Sequence, residues 1–191
     1  HRVYCYLYHT RGLGVWLVFS PGALDVLGYS DADHANDPEN TSRSTSAGVL
    51  FLRSARSSLM PIEWFSRTQT ATARSTPEAE IVSLAELTFS AAIPLQEVLF
   101  QITEREVAMR IGTDSQATEG IVRQGSSRRL AYLRRYQRVS ISSLRDVFAT
   151  RWNTLFGVRS QEIPADVLTK PRTFFRKVAL RGAVHSLAPR E

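Results

Sequence analysis

Val26-Leu27-Gly28-Tyr29-Ser30-Asp31-Ala32-Asp33 reads as a short β-strand that delivers a carboxylate to its end and then breaks into a polar loop. Side chains on a strand switch faces at every residue, so Leu27, Tyr29 and Asp31 share one side. Aspartate is a poor strand former, and Asp31 has no evident cation beside it in the chain. An acid in that position serves a metal, a proton or a cap. If it serves a metal, other parts of the chain must bring more carboxylates to it.

Upstream, residues 1–9 look like the end of a helix stopped by Thr10-Arg11-Gly12. Residues 14–19 (GVWLVF) read as a strand and Ser20-Pro21-Gly22 as a turn. Downstream, residues 34–46 are a polar loop. Residues 48–53 (GVLFLR) and 61–66 (PIEWFS) read as strands that fit an antiparallel meander with the Asp31 strand. A helix is expected over residues 76–92. Ser75-Thr76-Pro77-Glu78 resembles a capping box at its start, and Thr76 as cap with Pro77 at the first helical position is equally workable. Ile81, Leu84, Ala85 and Thr88 fall on one stripe at helical spacing, with Glu80 at its edge. Pro94 kinks or ends this helix, and residues 95–102 continue it.

Residues 107–113 read as a fourth strand with Asp114 at its end, and residues 116–123 as a short helix. Gly125-Ser126-Ser127 separates that helix from a long one over 128–149, on which Leu130, Leu133, Gln137, Ile141, Leu144 and Phe148 share a face. Residues 151–158 read as a fifth strand, and residues 163–168 begin a final helix. The order β-β-β-α-β-α-α-β-α implies an α/β chain of mixed α+β character, a mixed sheet with helices packed on it.

A chain of 191 residues with 43% hydrophobic content fits one domain with a packed core and flanking pieces. No apolar run approaches the roughly 18 residues of a membrane span, and no secretory signal is visible. The chain opens without Met, which reads as a piece of a longer chain. Cys5 stands alone, so an internal disulfide is excluded and a reducing compartment is the natural reading. Lys and Arg outnumber Asp and Glu by 24 to 18, a net charge of +6, and most of the cations are Arg. The planar guanidinium fork suits phosphate, so this balance favours a polyanionic partner.

Four acids stand at element ends or beginnings: Asp31, Glu80, Asp114 and Asp166. Each alone has an ordinary reading. Asp31 could cap a turn, Glu80 could be a helix-surface acid, and Asp114 and Asp166 could serve helix N-termini. Four carboxylates brought together repel one another too strongly to remain so without cations. Arg123, Arg128, Arg129, Arg134, Arg135 and Arg138 form a basic stretch, with Arg134, Arg138 and Arg145 on one helical stripe. It reads either as a track for phosphates or as a solvated helix face. Trp16, Trp64 and Trp152 read as core, and His9, His34 and His185 as surface residues.

Gly28-Tyr29-Ser30-Asp31-Ala32-Asp33, Arg43-Ser44-Thr45-Ser46, Ser75-Thr76-Pro77-Glu78-Ala79-Glu80, Thr113-Asp114-Ser115-Gln116-Ala117 and Ala165-Asp166-Val167-Leu168-Thr169-Lys170-Pro171 occur in this order. In order and spacing they resemble the ribonuclease H domain of a copia-type retrotransposon polyprotein, over nearly the whole chain from about Tyr6 to Pro171. The resemblance implies an RNase H-like fold with a five-stranded mixed sheet whose first three strands are antiparallel. It implies endonucleolytic cleavage of the RNA strand of an RNA–DNA hybrid. The family's metal ligands and catalytic acids map onto Asp31, Glu80, Asp114 and Asp166, holding two Mg²⁺ ions with Mn²⁺ as a substitute. One ion activates the attacking water and the other stabilises the leaving 3′-oxygen. Ser115, Gln116, Arg128, Arg134 and Arg138 are expected to contact nucleic acid.

Tyr6-Leu7-Tyr8-His9-Thr10-Arg11-Gly12-Leu13-Gly14 resembles the end of the connection segment that follows reverse transcriptase in such polyproteins. The expected division is therefore residues 1–20 as that segment, 21–171 as the RNase H-like domain and 172–191 as a basic tail. The implied partners are the hybrid and the reverse transcriptase portion of the same polyprotein, with no membrane. The implied location is intracellular, in cytoplasmic retroelement particles and the nucleus. His34, Ala47, the Glu63-Trp64-Phe65-Ser66-Arg67 segment and the Leu133-Arg134-Arg135-Tyr136-Gln137 segment depart from the usual pattern. Residues 159–165 also lack the His that many RNases H carry before the last acid. A hybrid- or RNA-binding module that has lost turnover is therefore the alternative. An integrase or 3′–5′ exonuclease fits the three-strand opening less well.

Overall fold

The strand bearing Asp31 is the centre of the sheet. In the computed structural model, which describes residues 22–34, 42–54 and 58–169 together with Tyr4, Cys5, Tyr8, His9, Arg11 and Gly12, five strands lie in the order β3-β2-β1-β4-β5. Strand β1 (Asp25–Asp33) runs on past Asp31 for two residues rather than ending there. It pairs antiparallel with β2 (Thr45–Arg53), which puts Asp31 opposite Ala47. On its other side it pairs parallel with β4 (Ala108–Thr113), which puts Tyr29 opposite Gly112. Strand β3 (Leu59–Thr68) closes one edge antiparallel to β2, with an irregularity at Leu50/Phe51. Strand β5 (Asn153–Gly157) closes the other edge, parallel to β4. The sheet is mixed and its first three strands are antiparallel, as the resemblance implied.

Helix α1 (Thr76–Leu87) buries the expected stripe of Ile81, Leu84 and Ala85, continued by Thr88. It packs on the face of the sheet where two glycines let it come close. A Cβ at Gly28 would stand 3.2 Å from a Leu87 methyl, and one at Gly48 would stand 2.9 Å from the other. The Ser83 hydroxyl seals the contact, 2.8 Å from the Asp31 carbonyl oxygen and 3.1 Å from that of Ala47. Leu50, Ile81, Leu84, Leu87, Met109 and Ile111 fill the space between helix and sheet.

After α1 the helix widens into a π-turn, Thr88–Ala92, and resumes as α2, Ile93–Thr103. Pro94 explains the irregularity: it has no N–H to donate, and its ring crowds the carbonyl of Ser90 four residues back. The helical rod Thr76–Thr103 spans 28 residues and is long and apolar enough to cross a membrane by length and composition, contrary to the expectation from apolar runs. It carries buried Glu78 and Glu80 and lies against the sheet, as a core helix does.

Helix α3 (Gln116–Gln124) ends on Gly125, whose φ of 76° is left-handed. The single long helix expected over 128–149 is not formed. A 3₁₀ turn, Arg128–Leu130, leads to α4 (Leu133–Tyr136), and α5 (Ile141–Phe148) is separate. The break falls at Arg138, which adopts a left-handed φ of 57°. Ser140 then starts α5 by accepting the Ser143 N–H at 3.2 Å. Arg134, Arg138 and Arg145 therefore do not share a helical stripe, and three α-helices rather than the expected two lie between β4 and β5. The apolar positions still face inward: Leu130, Leu133, Ile141 and Leu144 are buried, Gln137 and Phe148 half-buried. A 3₁₀ turn, Ser160–Glu162, precedes the short α6 (Asp166–Thr169).

Trp64 was expected in the core but is 64% exposed on edge strand β3, while Trp152 is half-buried just before β5. His9 is exposed, and His34 is half-buried with Nε2 3.2 Å from the Ala73 carbonyl oxygen. Of the expected N-terminal helix, Tyr4, Cys5, Tyr8 and His9 are described and helical. The strand expected over 14–19, Trp16, His185 and the basic tail lie outside the described residues.

Gly48→Ala tests the close approach of α1 to the sheet. The added Cβ would stand 2.5 Å from a Phe65 ring carbon. Overpacking of this kind costs about 1–3 kcal/mol. Urea denaturation should show a lowered midpoint with an unchanged slope.

Candidate metal centre

Parallel pairing and a clamped helix bring three acids together. Tyr29 of β1 faces Gly112 of β4. Two residues further along each chain stand Asp31 and Asp114, at the same end of neighbouring strands. Ser83 binds α1 to the Asp31 carbonyl, and Glu80 lies one turn earlier on that helix. As a result Asp31, Glu80 and Asp114 each present a carboxylate oxygen within 4.8 Å of the others. Asp31 is 1% exposed and Glu80 4%, while Asp114 is half-buried.

The residues beside these acids take up the local capping. Ser115, not Asp114, caps α3: its hydroxyl accepts the Thr118 N–H at 3.2 Å, and its own N–H donates to Thr113 Oγ1 at 3.3 Å. At the start of α1 the capping box expected of Ser75 and Glu78 is absent, because the Ser75 hydroxyl makes no capping bond. Glu78 turns elsewhere. Its Oε2 accepts the Arg74 N–H at 2.7 Å and the Tyr132 hydroxyl at 2.6 Å. At 1% exposure Glu78 is as buried as Glu80, so burial does not separate the two acids. Direction does: Glu80 turns to Asp31, Glu78 to Tyr132.

Asp166 lies outside the group of three. It is the first residue of α6 and 4% exposed, with its N–H on the Ile163 carbonyl at 3.3 Å. Its helix nonetheless reaches the centre, because the Thr169 hydroxyl donates to Asp31 Oδ2. The residues expected to meet nucleic acid are spread over neighbouring elements. Gln116 is exposed at the start of α3, and Ser115 is half-buried. Arg128 is on the 3₁₀ turn, Arg134 on α4 and Arg138 at the left-handed break, all three exposed. Arg138 also lines a cleft of about 450 Å³ with Arg67, Gln69, Glu86 and Phe89.

Sequence reasoning missed three side chains: Ser83, Tyr132 and Thr169. Ser83 follows Glu80 by three positions on the buried side of the helix, a spacing that marks it as a neighbour of that acid. Thr169 stood inside a quoted motif with no role given to it. Tyr132 had no local signal, since its partner Glu78 is 54 residues away.

The sheet order, its mixed pairing and the flanking helices define an RNase H-like fold. No family model matches the chain. It is 29% identical over 185 residues to the retrovirus-related Pol polyprotein from transposon TNT 1-94 of Nicotiana tabacum, a match that covers 94% of this chain and 13% of that polyprotein. Among solved structures, RNase H1 from the halophilic archaeon Halobacterium salinarum is similar at 17% identity with a TM-score of 0.46, over 71% of this chain and 86% of that one. LC11-RNase H1, solved in complex with an RNA/DNA hybrid, is similar at 14% identity with a TM-score of 0.44, over 75% and 93%. The RNase H domain of PFV aligns at 12% identity with a TM-score of 0.44, over 85% and 93%.

Burial, and then the hydrogen bond to Glu78, hold the Tyr132 phenol above its ordinary value of 10.0. A group whose protonated form is favoured by folding contributes fully below its unfolded value, and loses that contribution as pH rises through the folded one. By removing the hydrogen bond to Glu78, Tyr132→Phe should cost about 1.5–3 kcal/mol at neutral pH, the range for a hydrogen bond to a charged group. Above pH 10.0 the gap to the unmodified chain should narrow. Thermal melts across pH 7–12 check both.

Proposed function

We propose that this chain is a divalent-metal-dependent ribonuclease H that cuts the RNA strand of RNA–DNA hybrids formed in retroelement replication. The observation that carries the reading is the meeting of Asp31, Glu80 and Asp114 within 4.8 Å. They come from remote segments, they are all hard oxygen donors, and two of them are buried. Such a set fits Mg²⁺ or Mn²⁺, which take carboxylate oxygens and keep open positions for water and phosphate. With Asp166 from α6, the acids would hold two ions that acidify the attacking water and neutralise charge on the leaving 3′-oxygen.

The protein's own part is to place oxygens and to grip the substrate. Asp31 and Glu80 are held in a dry wall, where the field at the reacting phosphate is strong. Gln116, beside the half-buried cap Ser115, faces solvent next to Asp114 and is placed to contact the hybrid. Exposed Arg128, Arg134 and Arg138 carry phosphate contacts from a turn, a short helix and a break rather than from one helix face. The match to a transposon Pol polyprotein supports the retroelement setting, and a reverse transcriptase portion of the same polyprotein is the partner that this reading implies. In this reading residues 1–20 end the connection segment, 21–171 are the nuclease and 172–191 a basic tail. The work is done inside the cell, in cytoplasmic particles and the nucleus.

A labelled RNA–DNA hybrid should be cleaved in its RNA strand in Mg²⁺ or Mn²⁺ and left intact in EDTA. Asp114→Asn should fall to background; equal cleavage by this variant would overturn the reading. Normal hybrid binding without cleavage in either ion would select the binding module instead.

Salt dependence tests the arginines separately. Each phosphate contact removed lowers the slope of log affinity against log salt by about 1, so Arg134→Ala with Arg138→Ala should lower it by about 2. An unchanged slope would leave both as solvated surface residues.

A further inference from the structure

We infer that Thr169 is a positioning residue for the carboxylate of Asp31, acting through its hydroxyl to aim that carboxylate at the metal centre. The inference rests on the proposed reading of Asp31 as a metal ligand.

Thr169 is 8% exposed and ends the short helix α6 that Asp166 begins. Its hydroxyl donates to Asp31 Oδ2, across 138 positions of sequence, and lies 3.2 Å from the Asp166 carbonyl oxygen. The helix that carries it is fastened to the sheet. Ile163 and Ala165 pack against Ala47, the residue opposite Asp31 on β2. Ser66 of β3 donates to the Leu168 carbonyl at 2.6 Å. Thr169 is thus presented from a fixed platform.

The two hydroxyls around Asp31 divide the task. Ser83 holds the backbone by its bond to the Asp31 carbonyl. That bond leaves the terminal torsion of the side chain undetermined, and in aspartate this torsion is broad and nearly two-fold. Thr169 acts on that torsion. Glu80 and Asp114 stand within 4.8 Å, and without a cation their charge pushes the Asp31 carboxylate away from the centre. A donor bonded to one of its oxygens limits that rotation. Carboxylates that ligate metals are commonly held by such outer hydrogen bonds, and removing one lowers metal affinity 10–100-fold.

The test measures Mn²⁺ binding to the full chain by electron paramagnetic resonance, with no nucleic acid present, and melting in EDTA. Thr169→Val keeps the volume and removes the hydroxyl, and it should weaken Mn²⁺ binding about 10–100-fold while the chain still melts cooperatively. Thr169→Ser keeps the hydroxyl and loses the methyl, and it should bind Mn²⁺ like the unmodified chain. If T169S binds as weakly as T169V, the methyl and not the hydroxyl matters and the inference falls. If T169V does not fold, T169A against T169S makes the same comparison. Asp114→Asn separates the two levels. Loss of Mn²⁺ in D114N with normal binding in T169V defeats the role of Thr169 alone. No Mn²⁺ binding by the unmodified chain, or equal binding by D114N, defeats the metal-centre reading itself.

Discussion

Mutual repulsion of three carboxylates is the constraint this structure has to contain. Two unit charges 4.8 Å apart, the outer limit for any pair among Asp31, Glu80 and Asp114, repel by roughly 3–4 kcal/mol at an effective dielectric near 20. Three such pairs approach the whole stability of an ordinary domain. The acids can stay together only on elements that would lose more by separating. Those elements are the central strand, its parallel neighbour and the principal core helix. A divalent cation turns the same repulsion into attraction, which couples occupancy of the site to the stability of the fold.

The scaffold meets this constraint through backbone proximity rather than long side chains. Gly28 and Gly48 let α1 settle on the sheet with Leu87 against the strands, and Ser83 binds both carbonyls at the point where the acids meet. Parallel pairing does the rest, since Asp31 and Asp114 follow residues already paired in register. An antiparallel β4 would carry its Asp to the opposite end of the sheet. The mixed pairing is therefore a condition for the site.

Much of this could be read from the residues. The stripe on α1 and Asp114 just past β4 are local patterns, and local patterns survive folding, while Asp31, expected at the end of its strand, lies inside it. The failures share one physical origin, which is competition from distant partners. The segment 128–149 has an unbroken amphipathic period, yet Arg138 takes a left-handed turn where the Gln137 side chain reaches the Ala71 carbonyl. Ser140 before Ile141 was a capping signal within that segment, and the period masked it. Trp64 looks like core by composition, but its strand lies at the edge of the sheet and it stays exposed. Position on the helix set Glu80 at the buried stripe and Glu78 at the helix start, but not that Glu78 would be equally buried, because Tyr132 holds it from 54 residues away.

A carboxylate engaged in capping commits one oxygen to a backbone N–H and has fewer of its roughly four lone-pair sites left for a metal. At Asp114 the cap is Ser115. At Glu80 the polar work of the helix start falls to Glu78, which reaches back to the Arg74 N–H. At Asp31 the strand continues to Asp33, so there is no turn there to cap. Asp166 alone keeps a place in the first turn of its helix, where a negative charge is favoured in its own right. It is also the acid outside the group of three. The separation is chemically sensible: Asp31 lies within a strand, Glu80 lies beyond the first turn of α1 and Asp114 leaves the cap to Ser115, while Asp166 comes on a short helix whose last residue, Thr169, is bonded to Asp31. The fourth acid and the donor that steadies the first arrive together, and a shift of α6 would disturb both.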